Sequence, residues 1–112
     1  MADCIFCRII RGDIPGSLIY DDGLVVAFPD IYPKARVHIL VVPREHITSI
    51  ADIGPQHSGL LSSLVEVANG LAKQEGIAAS GYRLVTNAGP DSGQEVQHLH
   101  VHLLGGEKLG GL

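Results

Sequence analysis

The segment spanning residues 98–104 alternates polar and apolar side chains, and this alternation strongly limits what the chain can fold into. Successive side chains of a β-strand point to opposite faces of the sheet. The pattern therefore predicts a strand over residues 99–104 whose leucines and valine face a core. Three histidines would share the other face at intervals of about 6.6–6.8 Å: His98, His100 and His102. A solvated face explains this poorly, because histidine has no strong preference for strands.

Two kinds of chemistry could use such a row of histidines. A metal held by this strand alone is disfavoured, because His98 and His102 would lie about 13 Å apart along the backbone. Both could not reach one zinc ion at about 2.0–2.1 Å without a severe bend. Nucleophilic catalysis fits better, since neutral imidazole is a good nucleophile near pH 7. Neighbouring imidazoles can then hold a phosphate, orient the nucleophile and deliver a proton to the leaving group.

The rest of the chain predicts an α+β fold. Four further strands are expected, at residues 18–20, 24–28, 38–42 and 82–86, with a turn at residues 21–23 joining the first two. A short helix is expected at residues 4–11 and a long one at residues 55–75. The long helix carries an apolar stripe made of Leu60, Leu61, Leu64, Ala68, Leu71 and Ala72. Short connections favour an antiparallel meander with this helix on one face.

Length and charge narrow the functional classes. The 112 residues correspond to a single domain, residues 1–112. The net charge of −4 argues against a nucleic acid polymer as partner, because such binding depends on Lys and Arg at phosphates. There is no apolar run long enough for a membrane span. Arg8 and Arg11 come too early for a secretory signal, so we expect a cytoplasmic protein.

The block covering residues 93–106 resembles the signature of the histidine triad family. It reads Gly-Gln-Glu-Val-Gln-His-Leu-His-Val-His-Leu-Leu-Gly-Gly. The resemblance extends to residues 5–6, 14–15, 26–31 and 38–43. It is closest to the histidine triad nucleotide-binding proteins that hydrolyse adenosine phosphoramidates. It implies a five-stranded antiparallel sheet with one long and one short helix, joined into a larger sheet across a two-fold homodimer.

The same resemblance implies a role for individual residues. It makes His100 the nucleophile, lets His102 contact the phosphate, and puts His38 in the same polar network. The backbone of residues 93–95, together with Asn87, would cradle the α-phosphate, and Asp30 would accept the ribose hydroxyls. The implied nucleotide contacts also include Gly93, Gln94, Glu95 and Val96. The implied apolar walls around the purine are Ile5, Phe6, Phe28, Ile31 and Leu40.

Some of these residues also have simpler explanations. Phe28 and Leu40 are equally well explained as core residues, and Asp30 as a turn residue before Pro33. The sequence departs from many family members at Glu95, where eukaryotic proteins often have serine. It also departs at Gln97, where an aromatic residue is common. The tail after Gly106 is short, which leaves the preferred leaving group open.

Cys4 and Cys7 form one half of a zinc-binding pattern. In some relatives of the family, among them galactose-1-phosphate uridylyltransferases, histidines at the positions of His46 and His98 complete the ligand set. The resemblance therefore implies a closed Cys2His2 zinc site that is structural rather than catalytic. The alternative is a pair of buried thiols that bind no metal.

Taken together, the residues and the resemblance favour an enzyme that hydrolyses purine nucleoside 5′-phosphoramidates through a nucleotidyl-histidine. Its ligands would be AMP, GMP and their phosphoramidates. One alternative is a dinucleoside polyphosphate hydrolase, which is disfavoured because that branch usually replaces the later residues of the block with glutamine. Another is a nucleotide-binding regulatory protein with little turnover, which would use the same residues.

Overall fold

The computed structural model describes residues 4–15 and 17–111. It contains a five-stranded sheet in the order β1-β2-β3-β5-β4, and every neighbouring pair is antiparallel. The strands are β1 (Tyr20–Asp21), β2 (Val25–Pro29), β3 (Val37–Pro43), β4 (Tyr82–Val85) and β5 (Val101–Gly105). The predicted α+β class and antiparallel sheet are confirmed.

Two α-helices accompany the sheet, α1 (Ile5–Arg11) and α2 (Ser58–Gln74). Single 3-10 turns lie at Ile50–Asp52, Pro55–His57 and Pro90–Ser92. The turn at Pro55–His57 leads into α2, so the predicted long helix begins as a tighter turn. Within the described ranges, neither helix has the length and apolar character needed to cross a membrane.

The order of the strands puts β3 and β5 side by side near the middle of the sheet. The strands β1, β2 and β3 form the predicted meander, and β5 then inserts between β3 and β4. In this register Leu40 lies opposite His102, and His38 lies opposite Leu104. Because alternate residues of a strand share a face, His38, Leu40 and His102 point to the same side of the sheet.

The sheet is buried on both faces, which explains the continuous apolar runs of β2 and β3. Helix α2 covers one face, where it packs through Leu64, Ala68 and Leu71 among others. The other face carries a smaller cluster around Phe6 of α1. Its further buried members are Val26, Phe28, Leu40 and Val42. The sequence predicted one covering helix, and the short α1 turns out to cover part of the second face.

One residue of the predicted apolar stripe is not buried. Leu61 keeps 39 % of its surface exposed, while Leu60 and Leu64 are buried. Leu61 is one position beyond Leu60, which rotates it about 100° around the helix, away from the sheet. Val65, one turn later, is also exposed.

The predicted two-fold dimer stays a prediction.

The strand predicted at residues 99–104 begins later than expected. β5 starts at Val101, and residues 98–100 are all buried instead of alternating. The backbone N–H of Leu99 donates to the carbonyl of Ile47 at 2.6 Å, so this residue pairs with a loop and not with a strand. His98 thus precedes the strand and its ring is fully buried, while Phe6 packs against the rings of both His98 and His100. The row of three histidines stays a prediction.

Candidate functional site

Three histidines meet on the α1 side of the sheet: His38 on β3, His102 on β5, and His100 just before β5. The Nε2 atom of His38 lies 2.9 Å from Nδ1 of His102. The ring of His100 lies next to that of His102, with the two ring centroids 4.9 Å apart. His38 and His100 are buried, whereas His102 is half-buried. The cluster therefore has a closed inner side and an open outer side at which a ligand can bind.

The ring of His100 is held in one tautomer. Its Nδ1 atom lies 2.6 Å from the carbonyl oxygen of His98. A carbonyl oxygen only accepts hydrogen bonds, so Nδ1 carries the proton and Nε2 of the neutral ring keeps its lone pair. The edge of Phe6 packs against the ring, with centroids 5.1 Å apart. These contacts are what a nucleophilic imidazole needs: one nitrogen fixed and the other free.

Burial keeps His38 and His102 neutral. It is the main cause that lowers the pKa of His102 to about 4, and the charges of His100 and His38 lower it further. Burial also lowers the pKa of His38, although the carboxylate of Asp30 acts in the opposite direction. At neutral pH both rings therefore carry a single proton each.

Asp30 follows β2 and faces this cluster. Its Oδ1 accepts a hydrogen bond from the backbone N–H of Tyr32 at 2.8 Å, and its Oδ2 lies 3.5 Å from Nε2 of His38. The residue is thus a turn residue, as the simpler explanation held, and also a carboxylate at the edge of the histidine cluster. A carboxylate has about four acceptor positions, so Asp30 retains capacity for the hydroxyls of a ligand.

The loop before β5 is braced by Gln94. Its side-chain oxygen accepts from the N–H of Gly89, and its amide donates to the carbonyls of Thr48 and Val96. The backbone N–H groups of Gly93 and Gln94 donate within the loop as well. Among the described residues, no hydrogen-bond acceptor is paired with the N–H groups of Glu95 and Val96. The N–H of Glu95, from the predicted phosphate cradle, and that of Val96, a predicted nucleotide contact, are therefore donors that a ligand could use.

Asn87 directly follows Thr86, which is hydrogen-bonded to the segment before β5. The hydroxyl of Thr86, the residue that follows β4, donates to the backbone carbonyl of His100 at 2.7 Å. No sequence pattern pointed to Thr86. Nor did any pattern point to Lys34, whose backbone N–H donates to Nδ1 of His38 at 3.0 Å.

The predicted purine walls divide into two groups. Phe6, Phe28 and Leu40 are buried and pack together, in line with the alternative explanation of Phe28 and Leu40 as core residues. Ile5 and Ile31 are exposed, with 46 % and 81 % of their surfaces accessible. Only the last two offer a base a free apolar surface in the ligand-free chain.

A second cluster joins Cys4, Cys7, His46 and His98. One ligand atom from each lies within 4.8 Å of the others. Nδ1 of His98 is 3.3 Å from Sγ of Cys4 and 3.6 Å from Sγ of Cys7, and Nδ1 of His46 is 3.4 Å from Sγ of Cys7.

The protonation of His98 suits a metal at this cluster. Its Nε2 lies 2.9 Å from the carbonyl of Pro43, so Nε2 carries the proton and Nδ1 turns its lone pair to the thiols. Two sulfurs and two imidazole nitrogens are a donor set typical of structural zinc. Burial, followed by the neighbouring Cys4, raises the pKa of the Cys7 thiol in the metal-free cluster. The four residues therefore fit a zinc ion, which would draw off the thiol protons on binding.

Comparison with known proteins agrees with this geometry. A family model described as the C-terminal binding region of the scavenger mRNA decapping enzyme matches residues 3–110. A purine nucleoside phosphoramidase from Escherichia coli (strain K12) is 47 % identical over 108 residues, which cover 96 % of this chain and 91 % of the relative. A histidine triad (HIT) family hydrolase from Clostridium thermocellum superimposes with a TM-score of 0.96 at 43 % identity, covering 100 % of this chain and 97 % of the other.

The chain belongs to the histidine triad family. It shares the fold of HIT hydrolases over its whole described length. Another HIT relative, a 14 kDa zinc-binding protein from Zea mays, is 45 % identical over 107 residues, which cover 94 % of this chain and 83 % of that protein.

Proposed function

We propose that this HIT protein is a purine nucleoside phosphoramidase in which His100 is the covalent nucleophile. The observation that carries the proposal is the hydrogen bond from Nδ1 of His100 to the carbonyl of His98, which leaves the Nε2 lone pair free. The name and the 47 % identity of the Escherichia coli relative support the same reaction.

The reaction proceeds in two balanced steps. The lone pair of Nε2 of His100 forms a bond to the α-phosphorus while the bond between phosphorus and the amine nitrogen breaks. The amine leaves with that electron pair and takes up one proton from water, because the neutral ring of His102 would become an imidazolate if it gave up its single proton. Water then attacks the phosphorus, the bond to Nε2 breaks, and one proton is released. The products are a nucleoside monophosphate and an amine.

The surrounding groups supply binding and orientation. Asp30 accepts the ribose hydroxyls, and the N–H groups of Glu95 and Val96 bind phosphate oxygens. His102 is close enough to His100 to contact the same phosphate, since their ring centroids are 4.9 Å apart. Ile5 and Ile31 offer apolar surface to the purine.

The Cys2His2 cluster has a structural part in this proposal. A zinc ion held by Cys4, Cys7, His46 and His98 would supply a cross-link between α1 and the residues that precede β5. The side chain of His98 is fully buried, and its backbone carbonyl is the acceptor that orients His100. The ligand residues thus hold the nucleophile in position and take no direct part in bond breaking.

The test is turnover of an adenosine 5′-phosphoramidate by His100→Ala. We expect hydrolysis to fall at least about a thousandfold, because the covalent pathway is lost. Binding of AMP should persist, since Asp30 and the N–H donors are untouched. Acid-quenched mass spectrometry of the wild-type enzyme should find the nucleotide on the peptide that contains His100.

The matched control is His57→Ala, which removes a histidine outside both clusters and should keep turnover. Full activity in His100→Ala, or an adduct mapped to His38, would contradict the mechanism. Partial recovery of His100→Gly by added imidazole would strengthen it, because free imidazole can occupy the vacated space and attack in place of the side chain.

A further inference from the structure

The loop between β2 and β3 is attached to the histidine cluster by its backbone. The N–H of Asp30 donates to the carbonyl of His38 at 3.0 Å, and the N–H of Lys34 donates to Nδ1 of the same histidine at 3.0 Å. The second bond determines the protonation of the ring, because a backbone N–H donates and the ring nitrogen that it contacts must therefore accept. Nδ1 of His38 is therefore the nitrogen that carries no proton.

One hydrogen bond then determines the next. With Nδ1 of His38 accepting from Lys34, the single proton of the neutral ring must be on Nε2. That Nε2–H faces Nδ1 of His102 at 2.9 Å, whereas the nearest carboxylate oxygen of Asp30 is 3.5 Å away. The shorter distance makes Nδ1 of His102 the acceptor. The remaining proton of His102 must then be on its Nε2.

We propose that the backbone N–H of Lys34 is a positioning group of the active site, which fixes His38 and His102 in tautomers that direct the Nε2–H of His102 to the ligand. Its use in binding rests on the proposed function, because the ligand is the phosphate of a nucleotide. The direction of the relay itself follows from the distances between described residues.

The environment of the pair keeps these tautomers in place. Both rings have lowered pKa values because they are removed from water. The two unprotonated nitrogens also already accept hydrogen bonds: Nδ1 of His38 from the N–H of Lys34, and Nδ1 of His102 from the Nε2–H of His38. Protonation of either atom therefore breaks a hydrogen bond, so the pair stays neutral at pH 7.

The result is a pair of neighbouring imidazoles with opposite polarity. His100 turns a bare nitrogen towards the ligand, because its N–H is used by the carbonyl of His98. His102 turns an N–H to the ligand, because its bare nitrogen is used by His38. The first can attack phosphorus and the second can bind an anionic oxygen. With the opposite tautomer, His102 would present a lone pair to the phosphate and repel it.

The tautomers can be observed directly in the ligand-free protein. In a protein labelled with ¹⁵N, long-range proton–nitrogen NMR distinguishes a bare ring nitrogen from a protonated one. We expect bare Nδ1 and protonated Nε2 for both His38 and His102 at pH 7. A protonated Nδ1 on either residue overturns the proposal. This measurement does not depend on catalysis or on any variant.

A proline tests the amide itself. Lys34→Pro removes the N–H donor, so His38 can take up the other tautomer and the Nε2–H of His102 is no longer specified. We expect AMP to bind about tenfold more weakly or worse, as when a hydrogen bond to a charged group is lost. Lys34→Ala keeps the amide and should keep the wild-type NMR pattern. Ala35→Pro is the matched control, since no described acceptor is paired with the N–H of Ala35, and it should keep the affinity for AMP.

Each outcome bears on a distinct statement. Weaker AMP binding and altered ring spectra in Lys34→Pro, but not in Ala35→Pro, support the proposal. Wild-type spectra and affinity in Lys34→Pro overturn it. If Lys34→Pro fails to fold, the NMR measurement of the His38 and His102 tautomers in the wild-type protein decides whether the proposal holds. A protein with the expected tautomers but no turnover of phosphoramidates would refute the proposed function and leave the relay intact.

Discussion

Acidification should destabilise this protein through His102. The structure lowers the pKa of that ring from 6.5 to about 4, mainly by burial. Between these two values the unfolded chain binds a proton that the folded chain does not. The free energy of unfolding therefore falls as the pH drops from 6.5 towards 4, and the stability is fully present above about pH 6.5.

The size of the effect follows from the shift. A change of 2.5 pKa units corresponds at most to about 3.4 kcal/mol, of which about 1.8 kcal/mol falls between pH 7 and pH 5. His102 is half-buried, so solvent screens part of this, and about 1 kcal/mol is the expected contribution. His38 should add to the loss in the same direction, because its pKa is lowered as well.

The assay is urea denaturation at pH 7 and pH 5, with a chelator present so that the cysteine–histidine cluster is metal-free in every sample. Wild type should lose about 1 kcal/mol more than His102→Gln over this interval. Thr86→Val is the control: it removes the hydrogen bond to the carbonyl of His100 but no titrating group, so it should lower stability equally at both pH values. An identical pH dependence in wild type and His102→Gln would refute the reasoning.

Two further predictions concern the metal cluster and the base. Cys7→Ser should release the zinc that we expect at about one ion per chain and lower Tm by several degrees; treatment of wild type with a chelator should reproduce the effect, and an unchanged Tm in metal-free protein would contradict the site. AMP should bind more tightly than UMP, and Ile31→Ser should weaken AMP binding several-fold at little cost in stability, because Ile31 is 81 % exposed. Leu24→Ser, in the turn before β2, is the control for the second test, and equal affinity of wild type for AMP and UMP would argue against an apolar purine slot.

The strands and helices were predictable where the pattern is local. The apolar period of the long helix and the turn at residues 21–23 depend only on neighbours in the chain, and α2 and the hairpin lie where expected. The exposed Leu61 shows the limit of this reasoning. A helical stripe about 100° wide leaves the residues at its margin undecided, and only the position of the sheet determines which of them is covered.

The histidine segment was harder because partners distant in sequence compete for it. Alternation predicts that His98 extends the strand, but Pro43 and Cys4 bind its ring from opposite sides. Both partners lie more than 50 positions away, so no local pattern records them. The resemblance to a known family supplies what the alternation alone does not, since it groups His98 with the cysteines.

The backbone contributions could not be predicted at all. The amide of Lys34 contacts the ring of His38, and the carbonyl of His98 contacts the ring of His100. Any residue type except proline provides such an amide, and every residue provides such a carbonyl. Their importance depends on where the chain passes, which is a property of the folded state. A sequence motif therefore identifies the imidazoles, and the fold decides which nitrogen of each one is available.

The two clusters are joined at a single residue. The side chain of His98 lies among the cysteines and His46. The backbone carbonyl of the same residue accepts a hydrogen bond from the Nδ1–H of His100. The ring of His98 is fully buried and bonded to Pro43, so its backbone has little freedom to move. Whatever holds that ring in place also holds the carbonyl, and the carbonyl keeps the lone pair of His100 directed to the ligand. In the proposed reaction the cysteine–histidine cluster would therefore matter without contacting the substrate, because a shift of the His98 carbonyl would remove the acceptor that fixes the tautomer of His100.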